Sequence, residues 1–177
     1  MRYHTTLGPI RFKAFGVSFL LLGLALAMRI ASTPTANLSY LVIAGYALAG
    51  RTHAIQALAV SWFFTMISPG IAPPATASSM GRYAVIFAAA LSVLSRSELF
   101  RDGIRIQLAT FVTLVLGGFF IVHAFFFSPM IDVSLLKAVS WTLTMTTLIS
   151  AWSGLRADER EILSQQIFAG LIVLMLV

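Results

Sequence analysis

The chain has 177 residues, of which 59% are hydrophobic and 10% are charged, and its mean hydropathy is +0.92. A soluble globular domain usually carries about 25% charged residues, so this composition excludes an ordinary water-soluble surface. The net charge of +6 comes from basic residues placed singly or in small groups between apolar runs. Without a basic patch interleaved with aromatic residues, we expect no nucleic-acid partner.

The apolar runs predict an all-α fold, a polytopic bundle of transmembrane helices that forms a single domain over residues 1–177. The runs are continuous, and about 20 helical residues cross a bilayer core. The predicted spans are residues 14–31, 37–50, 53–67, 83–95, 104–127 and 134–155, and the last apolar run, 167–177, is about half of a seventh. The proline-containing connection 68–82 is expected to be extended, and Asp102-Gly103 predicts a turn.

Basic residues predict that the N-terminus is cytoplasmic. Nine Lys and Arg residues then lie on the inner side and two on the outer side, as the positive-inside rule requires. The inner residues are Arg2, Arg11, Lys13, Arg51, Arg96, Arg101, Arg105, Arg156 and Arg160. The outer residues are Arg29 and Arg82, while Lys137 lies within the sixth span.

The end of the chain predicts an incomplete membrane domain. Residues 155–166 are expected to form a charged, helical cytoplasmic link before the last apolar run. The sequence then stops at LIVLMLV without a polar flank, and a helix that ends within lipid leaves up to about four carbonyls unpaired. We therefore expect the N-terminal fragment of a longer membrane protein, with a short helix packed against the bundle as the alternative.

Lys137 lies about one turn inside the sixth span, where ionisable side chains are costly and often functional. It shares a helical stripe with Ser140, Thr144 and Thr147. The stripe predicts either a polar lining that faces a cavity or an anionic substrate, or a small-residue packing seam with Lys137 extended toward the interface. Asp132, just before the span, is expected to cap this helix or to favour the positive end of its dipole.

Three further residues on the outer side are candidate binding residues. Arg82 begins the fourth span, where its forked donors suit a phosphate but would also serve as an interfacial anchor, and Arg29 is a weaker case of the same kind. His123, among phenylalanines near the outer end of the fifth span, is either a general base or proton relay or a structural side chain. His4, His53 and His123 lack metal-ligand spacing and the chain has no Cys, so we expect neither a metal nor another cofactor.

Two blocks, SWFFTMISPGIAPPATASSMGRYAVIFAAA and FFFSPMIDVSLLKAVSWTLTMTTLISAW, resemble the N-terminal half of bacterial O-antigen ligase/polymerase-like membrane proteins. The likeness covers residues 56–152. It implies a metal-independent glycosyltransferase of polysaccharide biosynthesis in the bacterial inner membrane, acting on polyprenyl-pyrophosphate-linked glycans at the periplasmic face. It also implies that the catalytic residues lie downstream of Val177, so that this fragment would be inactive without the missing C-terminal half.

On this resemblance, Arg82 and Lys137 would hold the pyrophosphate near the outer leaflet and stabilise the leaving group by charge-assisted hydrogen bonds. The partners expected are then the lipid bilayer and the lipid-linked glycan. Two alternatives belong to other classes of protein. One is a permease or transporter subunit with Lys137 and the hydroxyl stripe along its path, and the other is a non-catalytic membrane scaffold.

Overall fold

A computed structural model of the chain describes residues 12–66, 78–96 and 108–176. Within these residues every regular element is helical and there is no strand, which confirms the predicted all-α class. The helices are α1 Phe12–Ala31, α2 Thr33–Ala47, α3 Arg51–Met66, α4 Ser78–Ser95, α5 Leu108–Phe127, α6 Ile131–Ser153 and α7 Ala157–Leu176. Residues 78–82 of the predicted extended connection 68–82 are helical and belong to α4, so that part of the prediction is wrong. The rest of the connection and the turn at Asp102-Gly103 lie outside the described residues.

Short turns connect α1 to α2, α2 to α3, α5 to α6, and α6 to α7. Between α1 and α2, Ser32 is the N-cap residue and its Oγ accepts a hydrogen bond from the Thr35 amide at 3.4 Å. A proline in the first turn of α2 fits there because no intrahelical amide is lost. Three residues join α2 to α3, α5 to α6, and α6 to α7. Such short connections make consecutive helices run antiparallel.

The helix ends differ from the predicted spans mainly at their polar first turns. The helices α2, α3, α4 and α6 begin before the apolar runs because Thr, Ser, Arg and Asp residues belong to their first turns. Residues 157–166 of the expected link continue into the last apolar run as one helix, α7. The link is therefore not a separate element, because its Glu, Arg, Leu and Gln residues are good helix formers and no proline interrupts them.

The helices α1 to α4 pack together, α6 packs on α3 and α4, and α7 packs on α3. The main contact of α5 is with α6. The interior of the four-helix part is built on Tyr40, Ile43, Phe64 and Val85, with alanines filling the close helix contacts. This arrangement leaves α5 at the side of the bundle, joined to it chiefly through α6.

Side-chain burial in α5 is inverted relative to a water-soluble helix. Its buried residues are Thr110, Thr113, Gly117 and Ala124, whereas large apolar side chains are exposed. Those exposed residues include Phe111, Val115, Leu116, Phe119, Phe125 and Phe126. Small and hydroxyl residues at helix contacts, with large apolar residues outside, are typical of helices whose surroundings are apolar.

By length and apolar composition, two of the described helices, α5 and α6, could cross a membrane. The apolar helices Leu20–Ala31 and Met80–Ser95 are shorter, and α2 and α3 have 15 and 16 residues. A helix of that length reaches only about 23 Å, against a bilayer core of about 30 Å. Six full spans are therefore not supported by these criteria, because several predicted spans were short apolar runs with polar flanks.

Candidate functional site

The C-termini of α2, α4 and α6 meet at one end of the bundle, which we name the Arg51 end. Arg51 donates from Nη1 to the carbonyl of Gly154 at 3.1 Å and from Nη2 to the carbonyl of Arg96 at 2.6 Å. Arg96 in turn donates from Nη2 to the carbonyl of Leu48 at 2.9 Å. Because the helices alternate in direction, the N-termini of α2, α4 and α6 lie at the opposite end, which we name the Arg29 end.

The arginines of the Arg51 end cap helix C-termini. Besides the contacts of Arg51 and Arg96, Arg160 donates from Nε to the carbonyl of Leu155 at 3.1 Å and from Nη2 to that of Ser153 at 3.2 Å. The last carbonyls of a helix lack intrahelical partners and carry partial negative charge, so guanidinium donors stabilise them. The same arginines that set the predicted orientation therefore also hold helix ends together.

An ion pair follows α6 at the surface. Arg156 Nη2 lies 2.7 Å from Asp158 Oδ2. The hydrogen bond from Arg156 holds the pKa of the Asp158 carboxyl below its ordinary value. Both side chains are largely exposed, so solvent screening leaves this pair with little effect on stability.

At the Arg29 end, Arg29 and Arg82 both lie near Tyr40. Arg29 is only 7% exposed and Tyr40 only 1%. Both guanidinium groups lie close enough to the Tyr40 hydroxyl to interact with it electrostatically. Two cations and a phenol hydroxyl from α1, α2 and α4 therefore share one part of the bundle, a grouping suited to an anion.

Close packing holds the Tyr40 ring in this cluster. A Cβ added at Gly81 would lie 2.6 Å from Tyr40 Cγ and 2.8 Å from its Cβ, so the backbone of α4 rests directly on the ring. On its other side Tyr40 meets Phe64 edge-on, with ring centroids 5.8 Å apart. The Arg82 guanidinium carbon lies 5.7 Å from the Tyr83 ring centroid, within cation–π range.

The other two candidates, His123 and Lys137, line a shallow cleft of about 440 Å³ between α5 and α6. Its wall on α5 is the stripe Phe120, His123, Ala124 and Phe127, and its wall on α6 is the stripe Ser134, Lys137, Ala138 and Trp141. Ser128 and Pro129, in the turn between α5 and α6, line the end of the cleft that we call its upper end. Both stripes have the spacing i, i+3, i+4, i+7 of a single helix face.

Aromatic contacts and one hydroxyl pair shape this α5–α6 cleft. His123 stacks on Phe127 with ring centroids 5.2 Å apart, and Phe120 meets Trp141 edge-on at 5.2 Å. The hydroxyls of Ser128 and Ser134 are 2.6 Å apart. Both His123 and Lys137 are exposed, so their nitrogens are accessible to a ligand.

The structure thus sorts the four candidate residues into two groups. Arg82 lies with Arg29 at Tyr40, a grouping that spacing in the sequence did not reveal. Lys137 lies with His123 in the α5–α6 cleft. The sequence hypothesis that Arg82 and Lys137 act together on one pyrophosphate stays a prediction. A stronger signal would have been the matching helical stripes of α5 and α6.

The hydroxyl stripe of α6 behaves as a packing seam. Ser140 Oγ donates to the carbonyl of Lys137 at 3.0 Å, and Thr144 Oγ1 donates to that of Ser140 at 2.7 Å. Thr147 and Ala151 are buried against the bundle. These contacts favour helix packing over a lined path, since back-bonded hydroxyls are already occupied. The N-cap of α6 is Met130 without a side-chain cap, so the capping role expected of Asp132 is wrong. Asp132 lies in the first turn, which fits the alternative that it favours the positive end of the helix dipole.

A polar chain of contacts links α2, α3 and α7. The Tyr46 hydroxyl donates to Gln56 Oε1, and Gln56 Nε2 donates to Gln166 Oε1 at 2.7 Å. Sequence reasoning did not single out these residues, because amides in a helix become informative only when a partner is known. Among the described residues, no group of three His, Asp or Glu side chains could hold a metal ion.

Comparison with known proteins returned no relative for this chain. No protein-family model matches it, and neither a curated protein nor a solved structure shows significant similarity. The resemblance to O-antigen ligase/polymerase-like proteins therefore stays a prediction based on the two sequence blocks.

Proposed function

We propose that this chain is an integral membrane protein whose helices α1 to α6 are its spans, with its N-terminus in the cytoplasm. The inverted burial of α5 supports this proposal, because its phenylalanines are exposed while its buried residues are small or carry hydroxyls. The short helices α2 and α3 bury much of their surface against neighbouring helices. The Arg51 end is then cytoplasmic and the Arg29 end faces outward.

We further propose that the Arg29 end binds the phosphate groups of a lipid-linked ligand. The observation that carries this proposal is that Arg29 and Arg82 both lie within electrostatic range of the buried Tyr40 hydroxyl. An anion that reached both guanidinium groups would accept charge-assisted hydrogen bonds from each and would offset the repulsion between the two cations. A pyrophosphate suits two forked donors better than a single phosphate does.

The most specific form of the proposal is a glycan transferase at the periplasmic face of the bacterial inner membrane. Its substrate would be a polyprenyl-pyrophosphate-linked sugar, as the sequence resemblance implies. Arg29 and Arg82 would bind the pyrophosphate and stabilise it as a leaving group, without acting as acid or base. The permease alternative has less support, since Ser140 and Thr144 donate back to their own helix.

The test is polysaccharide transfer in cells whose own gene carries Arg29→Gln, Arg82→Gln or both. Losing a charge-assisted hydrogen bond costs about 1.5–3 kcal/mol, so we expect transfer to fall by about 10–100-fold in each single variant. Arg156→Gln is the matched control, because it removes an exposed cation at the opposite end.

The amount of protein in the membrane fraction separates a binding defect from a folding defect. Arg29 is buried, so Arg29→Gln could lower that amount. Arg82 is half-buried, and its variant gives the decisive comparison. Transfer at the unaltered rate in Arg82→Gln, with normal protein levels, would refute the proposed phosphate site.

A further inference from the structure

We propose that the α5–α6 cleft binds the headgroup of an anionic phospholipid of the outer leaflet. The inference rests on the proposed membrane location but not on glycan transfer. It is carried by the order of side chains along the cleft and by the exposed ammonium group of Lys137.

The α6 wall of the cleft changes from polar to apolar along its length, as an amphiphile would require. Ser128 and Ser134 lie beside the turn, and Lys137 lies further along α6. At 1.5 Å per residue, Lys137 is about 9 Å below the first residue of α6 and Trp141 about 6 Å deeper. A lipid phosphate fits the upper, hydrogen-bonding part, while its glycerol and first methylenes fit against Phe120 and Trp141.

The electrostatics of the cleft favour an anion. Lys137 supplies a full positive charge, the imidazole of His123 supplies a hydrogen-bond donor, and the Ser128–Ser134 pair retains one hydroxyl proton that is not used between the two serines. The adjacent N-terminus of α6 has no side-chain cap, but Asp132 in its first turn offsets the positive potential of the helix dipole, so Lys137 is the source of the positive charge. Asp132 is the nearest acidic residue along α6, but it does not line the cleft.

An anionic phospholipid explains the whole cleft better than a soluble anion does. Inorganic phosphate or pyrophosphate would bind Lys137 and the serines but would make no contact with the aromatic rings of Phe120 and Trp141. The exposed apolar surface of α5 continues from the cleft through Phe119 and Leu116. In a bilayer this surface gives the acyl chains a path beside the headgroup site.

Trp141 provides a reporter inside the cleft. The protein is purified with Trp62→Phe and Trp152→Phe, which leaves Trp141 as its only tryptophan, and is reconstituted into phosphatidylcholine vesicles. Brominated phosphatidylglycerol or brominated phosphatidylcholine is then added at equal mole fraction, and quenching is measured. We expect phosphatidylglycerol to bind about fivefold more strongly, the ratio that one cation near an anionic surface contributes.

Three variants test the source of this preference. Lys137→Gln should reduce the ratio of phosphatidylglycerol to phosphatidylcholine binding to about one, and Lys137→Arg should retain it. Arg156→Gln should leave it unchanged, since that side chain lies at the Arg51 end. Because the ratio is taken within each variant, a small shift of Trp141 does not affect it.

Four outcomes would overturn the lipid site. The first is equal quenching by both lipids in the unaltered cleft, and the second is a preference for phosphatidylglycerol that survives Lys137→Gln. The third is loss of that preference in Arg156→Gln. The fourth is loss of the preference in millimolar inorganic pyrophosphate, which would indicate a soluble anion. A protein that fails to float with the vesicles would overturn the membrane proposal as well. A protein that floats and transfers glycan but shows no lipid preference would overturn the lipid site alone.

Discussion

Adjacent glycines in α5 allow a sharp test of how this helix is attached. Gly117 packs against Thr142 of α6, and an added Cβ would lie 2.8 Å from the Thr142 Cβ and closer still to its Oγ1 and Cγ2. Gly118 has no atom within 4 Å of the equivalent position. Gly117→Ala should therefore weaken the contact between α5 and α6, whereas Gly118→Ala should not.

The size of the effect follows from the geometry around Thr142. Its hydroxyl donates to the carbonyl of Ala138 at 2.8 Å, so the side chain cannot rotate away without losing that bond. The helices must separate instead, and overpacking of this kind costs about 1–3 kcal/mol. Alanine also gains about 1 kcal/mol over glycine within a helix. Since both variants receive that gain, their difference isolates the overpacking.

Thermal unfolding in detergent, followed by tryptophan fluorescence, measures this difference. At about 2–4 °C per kcal/mol for a chain of this size, Gly117→Ala should unfold about 2–12 °C below Gly118→Ala. Hydrogen exchange in peptides from α5 adds a local readout, because α5 is held mainly by α6. Equal melting temperatures together with equal exchange would refute the close contact at Gly117.

Three further predictions concern the rest of the bundle. Gly81→Ala should destabilise the protein by about 1–3 kcal/mol, because the added methyl group would press against the Tyr40 ring. Gly45→Ala is the control, since its added methyl group meets open space. Equal unfolding temperatures of the two variants would contradict this packing. Arg51→Gln should lower the free energy of unfolding by about 1–2 kcal/mol, since it removes donors to two helix ends, and an unchanged melting temperature in detergent would disprove the capping role. The chain has no native cysteine, so single cysteines can report the orientation. A membrane-impermeant maleimide should label Ser128→Cys in intact cells but Ala49→Cys only after permeabilisation. The reverse pattern would contradict a cytoplasmic N-terminus.

Local sequence information was sufficient for much of the helical architecture. The α5 and α6 segments were predicted with small errors because long apolar runs and the flanking Ser-Pro turn act within a few residues. The errors occurred at helix starts such as Thr33, where polar residues enter the first turn. The same limitation divided α7 into a link and a partial span, since hydropathy changes within a helix that continues without a break.

The sequence named the four candidate residues one by one, from their charge or aromatic surroundings, but not which of them are neighbours. Their grouping depends on which helix faces meet, and no short-range pattern specifies that Arg29 of α1 and Arg82 of α4 both lie near Tyr40. The role of Arg51 was missed for the same reason, because its acceptor Gly154 is 103 residues away in the chain.

The sequence alone determined that this chain is helical and predominantly apolar, because composition and helix propensity depend on each residue and its near neighbours. It also indicated the direction of the charge bias, which needs only the order of basic residues and apolar runs. The tertiary structure decided that Arg29 and Arg82 both lie near Tyr40, and that α5 and α6 form a cleft lined by Lys137. Those relations depend on how helices distant in sequence pack. Gly81 against the Tyr40 ring and Gly117 against Thr142 determine which helix faces can approach each other.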